Sequence, residues 1–129
     1  TEENAQEIIS QYDIVVDGCD NFSTRYLIND ICAEMGKVYV YGAICGFEGQ
    51  VSVFHYGEEK KSYRDLYPDE EEMRRMPPPP KGEMGITPAV TGSIEATEVL
   101  KIICGFGEVL SGKLWTIDLR TLQSNKFSL

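Results

Sequence analysis

The chain contains 129 residues, of which 42% are hydrophobic and 26% charged, and it carries a formal net charge of −9. This length corresponds to about one domain, and the composition is ordinary for a globular protein. The negative charge argues against a nucleic acid as partner, because phosphate groups are bound by clustered lysine and arginine. The sequence shows neither an apolar run of about 20 residues nor a signal-peptide pattern, so we expect a cytoplasmic protein that does not enter a membrane.

Four cysteines occur in the chain, and none of them belongs to a CxxC pair. Zinc knuckles and thioredoxin-like redox pairs need closely spaced cysteines, so neither is expected. Apolar neighbours favour buried, reduced thiols at all four positions, although the sequence leaves a disulfide between two of them open. The four are Cys19, Cys32, Cys45 and Cys104.

The first half of the chain predicts a helix over residues 2–10 and then a strand–helix–strand unit. Residues 13–17 form a compact apolar run, ended by Gly18, that is typical of a buried parallel strand. Apolar residues spaced three and four apart predict a helix over residues 22–35, and residues 38–41 predict a second strand. Since such a unit joins two parallel strands, the core of the fold is a parallel α/β sheet.

The second half predicts a strand over residues 51–56, a long loop, a helix and a closing hairpin. The loop covers residues 57–85 and includes four consecutive prolines, which suit neither a helix interior nor a central strand. Thr87 and Pro88 predict the start of the helix, as N-cap hydroxyl and first-turn proline. One face of this helix, small at its start and large at its end, is expected to pack closely; it comprises Ala89, Ser93, Ala96, Leu100 and Ile103. The hairpin covers residues 114–119 and 123–129.

One segment is a near match to a phosphate-binding loop, Gly107–Lys113. A phosphate loop joins a strand to a following helix, whereas this segment leaves a helix and enters a strand. Leu114 also stands where a serine or threonine should hold magnesium. We therefore interpret the segment as a turn. The single histidine, His55, disfavours a serine or cysteine hydrolase and a histidine-based metal site.

The candidate site lies where the first predicted strand ends, at Asp20 and Asn21. In open parallel sheets, ligands bind beyond the carboxyl ends of the strands. Two interpretations stay open: one of these residues caps the following helix, or Asp20 is a carboxylate that holds Mg²⁺ beside a triphosphate. Arg25 and Asn29 follow four residues apart on one helix face, where they would reach the same crevice or point to solvent.

Five stretches of the sequence match one family in the family's order: Tyr12–Arg25, Tyr26–Asn29, Gly46–Phe54, Gly92–Lys101 and Gly105–Lys113. Together they resemble the ThiF/MoeB/HesA family, the bacterial relatives of ubiquitin-activating enzymes. The resemblance covers nearly the whole chain except residues 57–84. It implies the C-terminal part of a Rossmann-like mixed sheet, in which antiparallel strands close a parallel core, and we expect residues 1–129 to be the C-terminal portion of such an adenylation domain.

The resemblance also implies a function. Such enzymes use ATP and Mg²⁺ to adenylate the C-terminal Gly-Gly carboxylate of a small ubiquitin-like sulfur carrier of the thiamin or molybdopterin type, and we expect a homodimer. Asp20 matches the family's magnesium-linked catalytic aspartate, while Asn21, Arg25 and Asn29 fall in the same cofactor-binding signature. Residues 57–85 occupy the place of the crossover loop that passes over the carrier tail.

The chain departs from the family at several points. The Gly-rich nucleotide loop and the phosphate-contacting arginine and lysine lie upstream of the matched region, so residues 1–129 by themselves are expected to be inactive. Ser62 and Asp65 stand where the family has the first CxxC of a structural zinc site, so zinc is not expected. Lys81 replaces a sulfur-handling cysteine of some relatives, which argues against persulfide or thioester chemistry.

Two other functions remain open from the sequence. The protein could be a family member that has lost catalysis and only binds a partner, or a fragment of an unrelated dinucleotide-binding oxidoreductase. The absence of a GxGxxG motif weighs against the oxidoreductase. The sequence does not identify the carrier protein or the pathway.

Overall fold

The computed structural model describes residues 1–58, 60–77 and 85–129. Its five strands form one sheet in the order β1-β2-β3-β4-β5, in which β1 and β2 are parallel and all other neighbours antiparallel. The predicted mixed sheet, with a parallel unit and a closing hairpin, is thereby confirmed. The strands are β1 (Ile14–Val16), β2 (Val38–Cys45), β3 (Glu48–Phe54), β4 (Lys113–Asp118) and β5 (Gln123–Ser128). The helices are α1 (Glu2–Ile9), α2 (Phe22–Met35), α3 (Tyr63–Leu66), α4 (Glu70–Arg75) and α5 (Ile86–Cys104).

Helix α2 shows how the local sequence determines an element. The Asn21 side-chain oxygen accepts a hydrogen bond from the Thr24 amide at 2.8 Å, and Gly36 ends the helix with a left-handed φ of 67°. A polar side chain before the first turn and a glycine after the last one satisfy backbone groups that the helix leaves unpaired. The predicted bounds of this helix are confirmed. The helix returns the chain to the start of β2, as parallel pairing with β1 requires.

The sheet separates two apolar layers. On one face, aromatic residues of β2 and β3 pack beneath α1 to α4; on the other, valines of the same strands pack beneath α5. Tyr39, Val40 and Tyr41 are all buried and alternate between these layers, because successive side chains of a strand point to opposite faces. Tyr39, Tyr41 and Phe54 thus belong to the core.

Part of the predicted loop over residues 57–85 is helical, so that prediction is wrong for α3 and α4. Ser62 begins α3 through a capping box with Asp65, and Asp69 caps α4. Each helix buries one large side chain, Tyr63 and Met73, in the core. Short helices of this kind are specified by caps and single anchors rather than by a periodic apolar pattern. Residues 78–84, which include three of the four prolines and the position of Lys81, lie outside the described residues.

Helix α5 packs on the sheet through a face other than the predicted one. The face made of Ala89, Ser93, Ala96, Leu100 and Ile103 is exposed. The side that contacts the sheet instead carries buried polar residues together with partly buried Ile94, Val99 and Ile102. This polar stripe fits because two strand glycines lie opposite it, and it comprises Thr87, Thr91, Glu95 and Glu98.

The start of α5 also differs from the prediction. The helix begins at Ile86, so Thr87 is inside the first turn and is not the N-cap. The Thr87 hydroxyl donates instead to the Gly46 carbonyl at 2.8 Å, in the turn between β2 and β3. This bond fixes the helix start against the sheet.

The segment Gly107–Lys113 leads from α5 into β4, which confirms that it is a turn rather than a phosphate loop. The Glu98 carboxylate accepts from the Leu110 amide at 3.0 Å and from the Lys101 ammonium at 2.7 Å. The buried glutamate therefore ties this connection to α5.

All four cysteines are free. Cys32 is buried and Cys19 partly buried, but Cys45 and Cys104 are exposed, so the prediction of burial is wrong for these two. They lie at the ends of β2 and α5, where the elements leave the packed layers. In the part of the chain that the structure describes, no helix is long and apolar enough to cross a bilayer.

Candidate active site

The turn that follows β1 is held from two sides. The Asp17 carboxylate accepts from the Cys19 amide at 2.9 Å, and the Arg25 guanidinium donates to the Cys19 carbonyl at 2.8 Å. Both peptide groups of Cys19 are therefore fixed by charged side chains, one from the end of β1 and one from α2. The next residue in the chain is Asp20, so these contacts determine where its backbone lies.

Asp17 and Arg25 form a buried ion pair. Their residues are 5% and 7% exposed, and Nε of Arg25 lies 3.0 Å from Oδ2 of Asp17. The same carboxylate accepts from the Tyr39 hydroxyl at 3.0 Å and from the Cys19 thiol at 2.8 Å. Burial opposes the charge of Arg25, but the Asp17 carboxylate outweighs it and raises the pKa of the guanidinium. Burial and the bond to Asp17 raise the pKa of Cys19 to about 12, so this thiol stays protonated.

Asp20 is exposed, and among the described residues its carboxylate accepts a hydrogen bond only from the Asn21 amide group, at 3.3 Å. The helix cap is Asn21, which leaves Asp20 without that role. A single free carboxylate suits Mg²⁺, which proteins usually hold through one or two carboxylates beside bound phosphates and water. The described residues contain no cluster of three or more histidine, cysteine, aspartate or glutamate side chains that could bind a metal ion.

The structure places Asn29 away from this turn, one helical turn beyond Arg25. It is 1% exposed, and its side-chain oxygen accepts from the Tyr63 amide at 2.9 Å and from the Ser62 hydroxyl at 3.1 Å. The ring of His55 also lies 3.0 Å from that oxygen. Asn29 therefore ties α3 and the end of β3 to α2. The structure brings Asp20, Asn21 and Arg25 together around the turn and does not bring Asn29 to it.

A cavity of about 270 Å³ opens beside the turn. It lies between the ends of β1 and β2 and the first half of α5, at the carboxyl edge of the parallel strands, where ligands bind in open α/β sheets. Its wall includes the Asp17–Arg25 pair, Gly42 of β2, and two side chains of α5, Thr91 and Glu95.

The two α5 side chains are unusual because each has a buried polar atom that no described residue contacts through a hydrogen bond. Thr91 is 2% and Glu95 6% exposed, and among the described residues neither Oγ1 of Thr91 nor Oε2 of Glu95 has a hydrogen-bond partner. Burial, and then the nearby Asp17 carboxylate, raise the pKa of Glu95 to about 8. At neutral pH most of this carboxyl is protonated, so it can donate a hydrogen bond.

Sequence reasoning missed these residues. It took the small, apolar side of α5 as the packed face and left the polar stripe unexamined. The signal was present in the spacing of Thr87, Thr91, Glu95 and Glu98, which follow one another at four, four and three residues. In the structure, Thr87 and Glu98 of this stripe bond to other segments of the chain, whereas Thr91 and Glu95 line the cavity.

Ser62 and Asp65, which stand where the family has zinc-binding cysteines, have another role in this chain. Ser62 accepts from the Arg64 amide at 3.1 Å, and the Asp65 carboxylate accepts from the Ser62 amide at 2.7 Å. Both side chains thus satisfy the backbone at the start of α3. The two residues complete a helix cap in this chain.

The fold and the turn define a Rossmann-like α/β domain with a polar site at the carboxyl edge of its parallel strands. Solved structures agree with this fold: the crystal structure of E. coli MccB superposes with a TM-score of 0.77 at 17% identity, over 99% of this chain and 39% of that one. The crystal structure of PaaA superposes with a TM-score of 0.74 at 12% identity, over 99% and 46%.

The sequence comparisons identify the family. The ThiF family model matches residues 1–129, and the chain belongs to that family. It is 46% identical to a probable molybdopterin-synthase adenylyltransferase of Pyropia yezoensis, over 98% of this chain and 34% of the relative. It is also 46% identical to a sulfur carrier protein adenylyltransferase of Thermus thermophilus, over 92% and 45%. The chain therefore spans between a third and a half of the length of these relatives.

Proposed function

We propose that the chain is part of an ATP-dependent adenylyltransferase that activates the C-terminal Gly-Gly carboxylate of a ubiquitin-like sulfur carrier. The names of the relatives at 46% identity, a molybdopterin-synthase adenylyltransferase and a sulfur carrier protein adenylyltransferase, support this reaction. They favour a carrier of the molybdopterin type over one of the thiamin type. The free cysteines of the chain suit a reducing compartment, and we place the protein in the cytoplasm.

The observation that carries the proposal is the state of Asp20. It follows β1 on a turn whose backbone is held by two charged residues, it is exposed, and the capping role falls to its neighbour Asn21. The helix cap and the ion pair with Arg25 are both made by other residues, so neither of these contacts depends on the charge of Asp20. It is available to a ligand at the carboxyl edge of the parallel strands.

The reaction joins two anions, because the carrier carboxylate must attack the α-phosphate of ATP. Bound Mg²⁺ supplies positive charge that offsets the phosphates, and Asp20 would hold it, directly or through water. Asn21 supports Asp20 through its amide at 3.3 Å. Arg25 supports it by fixing the Cys19 carbonyl, since its own charge is already paired with Asp17. A rigid turn of this kind reduces the reorganisation needed when charge develops in the transition state.

The test is ATP–pyrophosphate exchange by the full-length protein with a carrier that ends in Gly-Gly. Asp20→Asn should lower the exchange rate by about 100-fold or more, as loss of one preorganised electrostatic contact does. Asp13→Asn is the matched control, because Asp13 is an exposed aspartate at the other end of β1 and should retain wild-type exchange.

Near-normal exchange in Asp20→Asn would exclude the catalytic assignment. Carrier binding without any exchange by the wild-type protein would favour the partner-binding module instead. Residues 1–129 by themselves should give no exchange, because the family's nucleotide loop lies upstream of the matched region.

We further propose a homodimer formed through the exposed face of α5. Leu100 is 53% and Ile103 67% exposed, and the same face carries Ala96 one turn and Ala89 about three turns before Leu100. Small residues let two helices approach closely, while the large ones supply apolar area. Sedimentation equilibrium of the full-length protein should give a dimer, and Ala96→Arg should give a monomer. A wild-type monomer at 50 µM or so would exclude this interface, since stable dimers persist well below such concentrations.

A further inference from the structure

Helix α3 is fastened to the face of α2 that carries Arg25. Arg25 and Asn29 lie four residues apart in α2, so their side chains share one face of the helix. Oδ1 of Asn29 accepts from the Tyr63 amide at 2.9 Å and from the Ser62 hydroxyl at 3.1 Å. The start of α3 is therefore held one helical turn from the arginine that fixes the turn after β1.

The ring of Tyr63 packs between α2 and β2. Tyr63 is fully buried, and its ring centroid lies 4.8 Å from that of Tyr26 on α2 and 5.2 Å from that of Tyr41 on β2. The Arg25 guanidinium lies over the Tyr41 ring, 5.7 Å from its centroid, where a cation is attracted to the ring. Because the interior is close-packed, loss of the Tyr63 ring would let Tyr41 shift, and Arg25 with it.

The hydroxyl of Tyr63 takes no part in these contacts. It is buried, and among the described residues it has no hydrogen-bond partner, whereas the neighbouring Tyr26 hydroxyl donates to the Tyr67 carbonyl at 2.7 Å. An unpaired buried hydroxyl adds nothing to stability. Phenylalanine at position 63 would therefore keep the ring packing and remove only the unpaired group.

A shift of Arg25 acts directly on the turn after β1. Its guanidinium donates to the Asp17 carboxylate at 3.0 Å and to the Cys19 carbonyl at 2.8 Å. Cys19 immediately precedes Asp20 in the chain. Since charge-assisted hydrogen bonds are strong and directional, the backbone of the turn follows the position of the guanidinium.

We propose that Tyr63 is a positioning residue that couples the docking of α3 to the turn after β1 and so keeps Asp20 in place for adenylation. The catalytic part of this inference rests on the proposed function and deepens it, while the coupling is a property of the fold alone. Because Tyr63 is fully buried, it acts through Tyr41 and Arg25 and not by touching a substrate. An event that loosens α3 would thereby lower the activity of a site on another segment.

Hydrogen–deuterium exchange of the full-length protein measures the coupling. The Asp17 and Cys19 amides are hydrogen-bonded and report on the turn, and the Tyr63 amide reports on α3. Tyr63→Leu should speed deuterium uptake in both segments by about 10-fold or more, because both open together. Met73→Ala is the matched control, since Met73 is the buried anchor of α4. It should speed uptake in α4 and leave residues 17–21 within about 2-fold of wild type.

Carrier-dependent pyrophosphate exchange by the same variants measures the effect on the site. Tyr63→Leu should lower kcat by about 10- to 100-fold, with the KM values for carrier and ATP within about 2-fold of wild type, because a displaced Asp20 weakens transition-state stabilisation and leaves substrate binding intact. Tyr63→Phe should keep kcat within about 2-fold of wild type, because the ring remains. Met73→Ala should also keep the wild-type kcat, although urea unfolding should show that it is destabilised.

A milder variant keeps the test decisive if Tyr63→Leu does not fold. Ser62→Ala removes the α3 cap and one bond to Asn29 and leaves the Tyr63 ring in the sequence. It should give smaller changes in the same direction, with faster deuterium uptake at both α3 and residues 17–21. Faster uptake at α3 alone would contradict the coupling.

The outcomes are distinct. If the wild type lacks carrier-dependent pyrophosphate exchange, the proposed function fails, and deuterium uptake still decides the coupling. If the wild type is active but Tyr63→Leu leaves residues 17–21 at wild-type uptake, or Met73→Ala opens them equally, the inference alone fails. A Tyr63→Phe variant as slow as Tyr63→Leu would also overturn it, since the hydroxyl would then act in place of the ring. A higher carrier KM at unchanged kcat would overturn it as well, since α3 would then bind the carrier.

Discussion

Replacing Asp17 by asparagine should destabilise the protein more than any other single isosteric change at the site. The substitution keeps the shape but removes the charge that faces Arg25, which is 7% exposed. Four hydrogen bonds end on this carboxylate, from Arg25, Tyr39, and the amide and thiol of Cys19. Removing one partner of a buried ion pair leaves an uncompensated charge and costs about 3–5 kcal/mol. Since domains are stable by about 5–15 kcal/mol, this is a large fraction of the total.

Urea unfolding of the full-length protein at pH 7, followed by far-UV circular dichroism, measures the effect. Asp30→Asn is the control: it makes the same chemical change in the exposed pair with Arg64, where about 1 kcal/mol or less is expected. Arg25→Met should cost less than Asp17→Asn, because Asp17 would retain three donors. The double variant should be more stable than the sum of the two losses predicts, since neither charge is then left alone. If Asp17→Asn and Asp30→Asn have equal effects, the buried pair does not hold the turn.

Three further predictions concern stability. The pKa of Glu95 is raised from 4.5 to about 8 in the folded protein. The folded state therefore binds this proton more tightly than the unfolded state, and wild-type stability should fall between about pH 4.5 and 8. Glu95→Gln should remove that fall and gain about 5 kcal/mol over wild type at pH 9, at about 1.4 kcal/mol per pKa unit, with parallel urea curves from pH 5 to 9 as the check. Asn21→Ala should lose about 1 kcal/mol in urea unfolding, through loss of the α2 cap, whereas Asp20→Asn should lose none. Thr87→Val should lower the melting temperature by a few degrees, because the partly buried Gly46 carbonyl loses its donor, worth about 1 kcal/mol.

The elements that could be read from the sequence are those specified by local signals. Helix α2 has a cap at Asn21 and a glycine at position 36, and both of its ends were predicted. Strand β2 was predicted to end at Tyr41, but it continues through Gly42 to Cys45. Glycine normally weakens a strand, but at position 42 of β2 the Glu95 carboxyl occupies the space that a Cβ would fill. A reason of that kind lies on another element and is not visible in the local pattern.

The candidate site was predictable to a similar extent. The place of Asp20, after a parallel strand and before a helix, follows from the order of the elements, and so does its proximity to Arg25. The partnership of Arg25 with Asp17, and the use of Asn29 to hold α3, depend on packing between distant segments. Thr91 and Glu95 were missed because an apolar pattern was taken to mark the packed face of α5. In this fold the glycines of the sheet allow a polar face to pack there.

The close fit between Gly42 and Glu95 also constrains how the sequence can change over evolutionary time. Any larger residue at position 42 would displace the glutamate side chain, while a shorter side chain at position 95 would free the space above the strand. A substitution at 42 is therefore tolerated only after one at 95, and the reverse order passes through a damaged intermediate. Substitutions at these two positions should be epistatic, and related sequences should carry them in matched pairs.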